Sequence, residues 1–144
     1  MFETVVIATD GSESVRRAVA VAADLAERFG ATVHALSVVD TDEIGGAPES
    51  VREDLRSALS ESAADAAAEI DEYVDGEVVT AVRKGSPARE ITDYASEAGA
   101  DVVAMGTRGR HGENRFLIGN VAERVVRTCP VPILTVRQLD GQGD

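Results

Sequence analysis

Gly106-Thr107-Arg108-Gly109 is followed, after nine residues, by Gly119-Asn120-Val121. The first glycine comes directly after the apolar run Val102-Val103-Ala104-Met105, and the last one opens a helical pattern. Glycines in such a loop let the backbone approach a ligand closely, because they carry no Cβ and tolerate positive φ. A helix starting beside them directs unpaired N–H groups at that ligand, a natural seat for phosphate. The pattern suits binding of a phosphorylated small molecule, a nucleotide above all. It does not suit catalysis. No nucleophile with its base, acid pair or water-activating group accompanies it, so no catalytic residue is assigned and efficient turnover is not expected.

Other side chains with chemical potential are few. Arg108, Arg110, His111 and Arg115 form a basic cluster within the same loop. A guanidinium can pair bidentately with phosphate, and Arg108 is the foremost candidate; a solvated loop is the alternative reading. His111 has no second His or Cys spaced to share a metal with it, and His34 sits inside an apolar run, where a structural role is expected. No metal site is assigned. Cys129 is the sole cysteine, which excludes an intrachain disulfide. It precedes Pro130 at a helix end and reads as a buried or half-buried structural thiol.

The elements that must position the loop are legible from periodicity. Five apolar, largely β-branched runs read as strands covered on both faces: Thr4–Ala8, Thr32–Val39, Glu77–Val82, Asp101–Met105 and Val131–Val136. Helical stretches alternate with them. The first carries Val15, Ala18, Val19, Ala22, Leu25, Ala26 and Phe29 on one face, with Ser12 or Ser14 as N-cap and Gly30 as its stop. The second runs from Pro48 to about Val74 through Val51, Leu55, Leu59, Ala66 and Ile70. Ser86-Pro87 opens a third, with Ala88, Ile91, Ala95 and Ala98 inward and Gly99 ending it. The fourth spans Asn120 to Thr128. Asp40 to Ala47, with Gly45-Gly46, reads as a mobile loop. This order predicts a single-domain α/β protein with a doubly wound, five-stranded parallel sheet and helices on both faces.

Composition narrows the function classes. The 144 residues suit one domain, and 44% are hydrophobic although only 3% are aromatic. No apolar run approaches the roughly 20 residues of a membrane span, and the start resembles no signal peptide, so a cytoplasmic protein without a membrane partner is expected. With 26 acidic and 14 basic residues the formal charge is −12, which argues against nucleic acid as a partner. Lys84 is the only lysine. Such a balance resembles proteins of salt-accumulating microbes and points to a halophilic archaeon: at molar salt the Debye length is about 3 Å, and carboxylate repulsion fades. An ordinary acidic protein from a GC-rich genome is the alternative.

In an open parallel sheet, ligands bind beyond the carboxyl ends of the strands, where strand order reverses. Three strands end in suggestive residues: Thr9-Asp10-Gly11-Ser12, Val38-Val39-Asp40 and Met105-Gly106. Together with Gly85-Ser86-Pro87-Ala88, the long glycine loop, and Val121-Ala122-Glu123-Arg124-Val125-Val126 leading to Pro130-Val131-Pro132-Ile133-Leu134, they resemble the universal stress protein family. The resemblance covers residues 1–137, leaving 138–144 as a disordered tail.

That resemblance implies strand order 3-2-1-4-5 and a homodimer through the fifth strand, Val131 to Val136. It also implies the ATP-binding branch, whose signature is Gly-x-x-Gly, nine residues, then Gly and Ser or Thr. Gly106, Gly109 and Gly119 fit that signature, but Asn120 stands where the hydroxyl residue would be. Asn120 can donate through its amide or serve as a helix N-cap, and these roles are compatible. Gly106, Gly109, Gly119, Asn120 and Val121 would face the phosphates, with Met105 at the strand exit. Asp10, beside Thr9, would meet ribose or an accompanying Mg2+, unless it is only a turn residue. Val38 and Val39 would hold adenine, unless they are plain core. Three functions compete: an ATP-binding stress or signalling module, a partner-binding dimer of the same family without nucleotide, and an adenylating enzyme. The last needs a Ser-Gly-Gly-x-Asp-Ser loop, which Asp10-Gly11-Ser12-Glu13-Ser14 matches poorly.

Overall fold

Along the first strand, β1 (Thr4–Ala8), successive side chains enter two different cores. Val5 and Ile7 belong to one cluster and Val6 and Ala8 to the other, because a strand alternates faces with period two. A computed structural model describes residues 2–108 and 118–139. Within it β1 lies at the centre of a parallel sheet with β2 (Thr32–Asp40), β3 (Val78–Gly85), β4 (Val102–Gly106) and β5 (Ile133–Val136). The order is β3-β2-β1-β4-β5, as expected. Val5 pairs with Val33 on one side and Val102 on the other.

Helices cover both faces. On the first, α1 (Arg16–Phe29) and α3 (Glu49–Glu69) pack Val19, Ala22, Ala26 and Ala67 against Val5, Ile7, Val33 and Ala104. On the second, α4 (Pro87–Ala98) and α5 (Asn120–Thr128) pack Ala88, Ile91, Ala95, Ala122 and Val125 against Val6, Leu36 and Val103. The helix stops behave as their glycines require: Gly30 and Gly99 take the left-handed conformation at φ 64° and 66°.

Several local expectations need correction. Asp40 to Ala47 is not an open loop. The Asp40 side chain accepts the Asp42 N–H at 2.9 Å and starts a short helix, α2 (Thr41–Gly45). Arg52 then ties the following turn, donating to the Ala47 and Gly45 carbonyls at 2.9 and 3.2 Å. Neither Ser12 nor Ser14 caps α1. A 3-10 turn over Glu13–Val15 intervenes, Val15 stands at the N-cap, and the Ser12 hydroxyl is buried with no partner. Phe29 is half exposed and meets Phe2 edge-on, with ring centroids 5.1 Å apart. The second predicted helix ends at Glu69 and passes into a 3-10 turn over Ile70–Tyr73. β3 runs three residues beyond the expected Val82, to Gly85, because β2 offers it a partner as far as Asp40. β5 starts only at Ile133.

Candidate functional site

The sheet order reverses at β1: its successor β2 lies on one side and β4 on the other. The crevice expected at such a point is present above the strand ends. It has a volume of about 570 Å³, within the range of small-ligand sites.

Three strand exits build its floor. The Thr9 N–H donates to the Leu36 carbonyl at 2.9 Å and prolongs the β1–β2 pairing by one residue. The Thr9 hydroxyl accepts the Gly11 N–H at 3.1 Å, and Asp10 Oδ1 accepts the Ser12 N–H at 2.9 Å. These bonds shape a turn whose Gly11 has φ 77° and presses close to α3; a Cβ there would meet the Ala66 Cβ at 3.1 Å. At the second exit Val39 is buried with Ile44 and Ala63 in a small apolar cluster, flanked by Leu55 and Leu59. At the third, β4 runs through buried Met105 and Gly106 into Thr107, whose N–H donates to the Val136 carbonyl at 3.3 Å.

Gly106 and Gly119 stand where side chains would crowd the backbone. A Cβ on Gly106 would meet the Ser14 carbonyl and Val15 Cγ1 at 3.1 Å, and one on Gly119 the Thr107 carbonyl at 3.1 Å. Gly119, not Asn120, is the N-cap of α5, and Asn120 is its first helical residue. Gly119 offers no capping side chain, and its own N–H is taken by the Thr107 carbonyl. The Glu123 N–H reaches back to the Gly119 carbonyl at 2.9 Å. The N–H groups of Asn120, Val121 and Ala122 precede that bond and have no partner inside the helix.

Thr9, Asp10, Val38, Val39, Met105, Gly106, Arg108, Gly119, Asn120 and Val121 all line this cavity. Gly109 lies outside the described residues, as do Arg110, His111 and Arg115. Arg108 Nε is buried with no hydrogen-bond partner. Sequence reasoning missed the helix-borne walls: Glu43 of α2, Leu59 and Ala63 of α3, and Pro87 and Ile91 of α4. Leu59 and Ile91 were visible only as core positions, since no local signal says which part of a helix passes over a strand exit.

The remaining candidates lie elsewhere. His34 Nδ1 is 2.7 Å from the Tyr94 hydroxyl, in a part-buried contact. Tyr94 is buried, and burial pushes its hydroxyl above the usual tyrosine range. It occupies the inner face of α4, one position before Ala95; an aromatic three residues after Ile91 was the available signal. Arg83 covers the Tyr94 ring at 5.0 Å and donates to Glu97 at 2.7 Å, which holds the Glu97 carboxyl below its usual range. Cys129 is half-buried against the α4–α5 core. Among the described residues no helix is long and apolar enough to cross a membrane.

A parallel sheet in this order, with a crevice of about 570 Å³ at its reversal point, defines a doubly wound α/β protein. The chain belongs to the universal stress protein family, whose profile matches residues 1–137. It is 34% identical over 142 residues to universal stress protein MJ0531 of Methanocaldococcus jannaschii, covering 96% of this chain and 84% of that one. The solved structure of hypothetical protein MJ0577 superposes with a TM-score of 0.81 at 27% identity, covering 98% of this chain and 99% of the other. A universal stress protein from Archaeoglobus fulgidus, solved in complex with dAMP, superposes with a TM-score of 0.60 at 26% identity, covering 95% and 100%.

Proposed function

We propose that this protein is a cytoplasmic adenine-nucleotide-binding module of stress response or signalling, taking ATP and at most slowly hydrolysing it. One observation carries the reading: a single crevice joins an apolar end at Val39, Leu59 and Ala63 to a glycine-capped helix start at Asn120. An adenine base fits the first chemistry and a phosphate the second. The dAMP-bound relative shares the fold that creates the crevice. In this reading Val38 and Val39 hold the base, Asp10 meets the ribose, and Gly106, Arg108, Gly109, Gly119, Asn120 and Val121 surround the phosphates. No group of three or more metal-ligating side chains gathers among the described residues. In this reading Mg2+ enters on the phosphates, the usual mode for a cation that keeps its waters. Calorimetry with ATP, with and without Mg2+, tests the reading. Stoichiometric heat supports it; no heat and no thermal shift with any adenine nucleotide ends it.

A second reading has its own support. Asn120 occupies the place of the signature's hydroxyl, and β5 is a sheet edge with apolar Ile133 and Leu134 only half-buried. An open edge invites pairing. A homodimer through Val131 to Val136, acting through protein partners without nucleotide, follows from those features. Light scattering at micromolar concentration decides the dimer, and a monomeric mass counts against it.

A further inference from the structure

β3 closes one side of the sheet, and among the described residues it pairs with β2 alone. An edge strand leaves a row of backbone N–H and C=O groups unpaired, and proteins blunt such an edge by shortening it, bulging it, or placing proline or lysine on it. This edge is eight residues long, pairs with β2 residue for residue from Val78 to Gly85, and contains no proline. Val79, Thr80 and Val82 are exposed along it. Its charges are divided by sign. Asp75 and Glu77 precede the strand, Arg83 and Lys84 end it, and Lys84 is the only lysine in the chain. Arg83 is engaged by Glu97 and Glu90. Asp75, Glu77 and Lys84 are exposed and make no ion pair among the described residues.

We propose that the β3 edge pairs antiparallel with the β3 edge of a second copy of this chain, continuing the sheet across a two-fold axis. The division of charge makes the strand self-complementary. Antiparallel pairing brings the acidic start of each copy to the basic end of the other, whereas parallel pairing sets like charges side by side. A two-fold axis between antiparallel strands passes between a residue and its own copy. With Thr80 at that point, threonine meets threonine, Val78 meets the partner's Val82, and Glu77 meets the partner's Arg83 with Lys84 beside it. Such cross-strand pairs are favourable. Moving the axis to Ala81 instead sets Val78 and Val79 against the partner's Lys84 and Arg83. This edge lies on the far side of the sheet from β5, and the pairing needs no nucleotide.

Thr80→Cys tests the register. In molar KCl the Debye length falls to about 3 Å, which screens the repulsion between two acidic copies. Mild oxidation should then link two chains through the introduced thiols, because opposed strand residues lie about 4.5–5.5 Å apart, within disulfide reach. Ser62→Cys, exposed on α3, should stay unlinked. Sedimentation equilibrium reads the charges. Lys84→Glu and Glu77→Lys should each weaken the dimer about tenfold or more, since like charges facing across an interface are costly. The double variant should recover the wild-type affinity. An unlinked Thr80→Cys overturns the proposal, as does a double variant as weak as the singles. So does a wild-type monomer that begins to associate in Lys84→Thr, which would make Lys84 a guard of the edge. A dimer held by β5 alone gives a dimeric mass with neither the link nor the charge dependence, and also overturns it. The linking experiment stands even if a charge variant fails to fold.

Discussion

The Gly119 N–H donates to the Thr107 carbonyl at 2.5 Å, joining residues twelve positions apart at the foot of the glycine loop. This contact makes Gly119 structural as well as permissive. It fixes the distance between the β4 exit and the first turn of α5. It also occupies the Gly119 N–H, so Gly119 keeps no backbone donor of its own for a ligand.

Gly119→Ala and Gly106→Ala should separate site from fold. Gly119 has φ −72° and ψ 164°, which alanine adopts freely, and among the described residues its added Cβ presses on the Thr107 carbonyl at 3.1 Å. Gly106 is buried in β4, and its Cβ would meet the Ser14 carbonyl, Val15 Cγ1 and the Arg108 carbonyl at 3.1–3.3 Å. Overpacking of that kind costs about 1–3 kcal/mol. We expect Gly106→Ala to lower the urea midpoint clearly, and Gly119→Ala to lower it less while weakening nucleotide about tenfold by calorimetry. The reverse ranking in urea would refute the steric account.

Asp101 gives the fold an acid-sensitive clamp. Its Oδ2 accepts the Glu3 and Thr4 N–H groups at 2.8 and 3.0 Å, and these two bonds, Glu3 first, hold its carboxyl below the usual aspartate range. A lowered folded pKa contributes stability that is present above the unfolded value, about 3.9, and is lost as pH falls through the folded value. Asp101→Asn should therefore be less stable than wild type at pH 6, with the gap closing as pH falls below the ordinary aspartate value of about 3.9 and through the lowered folded one. Urea midpoints across that range at fixed KCl measure it. A gap that stays constant with pH would assign the effect to shape rather than charge.

Gln138 caps α1 from the far end of the chain. Its Oε1 accepts the Arg17 N–H at 2.9 Å, while Arg17 donates to the Arg137 carbonyl at 2.9 Å. Val15, the local N-cap, supplies no side-chain acceptor. Gln138→Ala should cost about 1 kcal/mol, the usual worth of a helix cap. Truncation after Val136 should cost at least as much in thermal unfolding, and an unchanged Tm would show that the cap contributes nothing.

The acidic balance of 26 carboxylates against 14 basic residues should make stability depend on salt. Exposed pairs such as Arg28–Asp24 and Arg56–Glu53 are local, at i,i+4 and i,i+3, and cannot offset a net −12 spread over the surface. Tm should rise steadily as KCl is raised toward molar concentration, as self-repulsion is screened. Equal stability in low and molar salt would refute a halophilic adaptation.

Residue types alone determined the strand order along the chain, the four longer helices between the strands, the two-sided burial of β1 and the glycines at the β4 exit; the short helix α2 they did not reveal. Each is a local signal: period two or 3.6 in apolar positions, or a backbone that tolerates no Cβ. Local signals also reached ten of the residues that line the crevice, because strand ends converge wherever parallel order reverses. The tertiary structure alone decided the rest. Leu59 and Ala63 face the crevice because α3 crosses the exit of β2, Arg17 finds its cap 121 residues away, and Arg108 Nε is left without an acceptor. Those facts depend on how far one element travels over another. No periodicity encodes that distance; the packing of the whole sheet sets it.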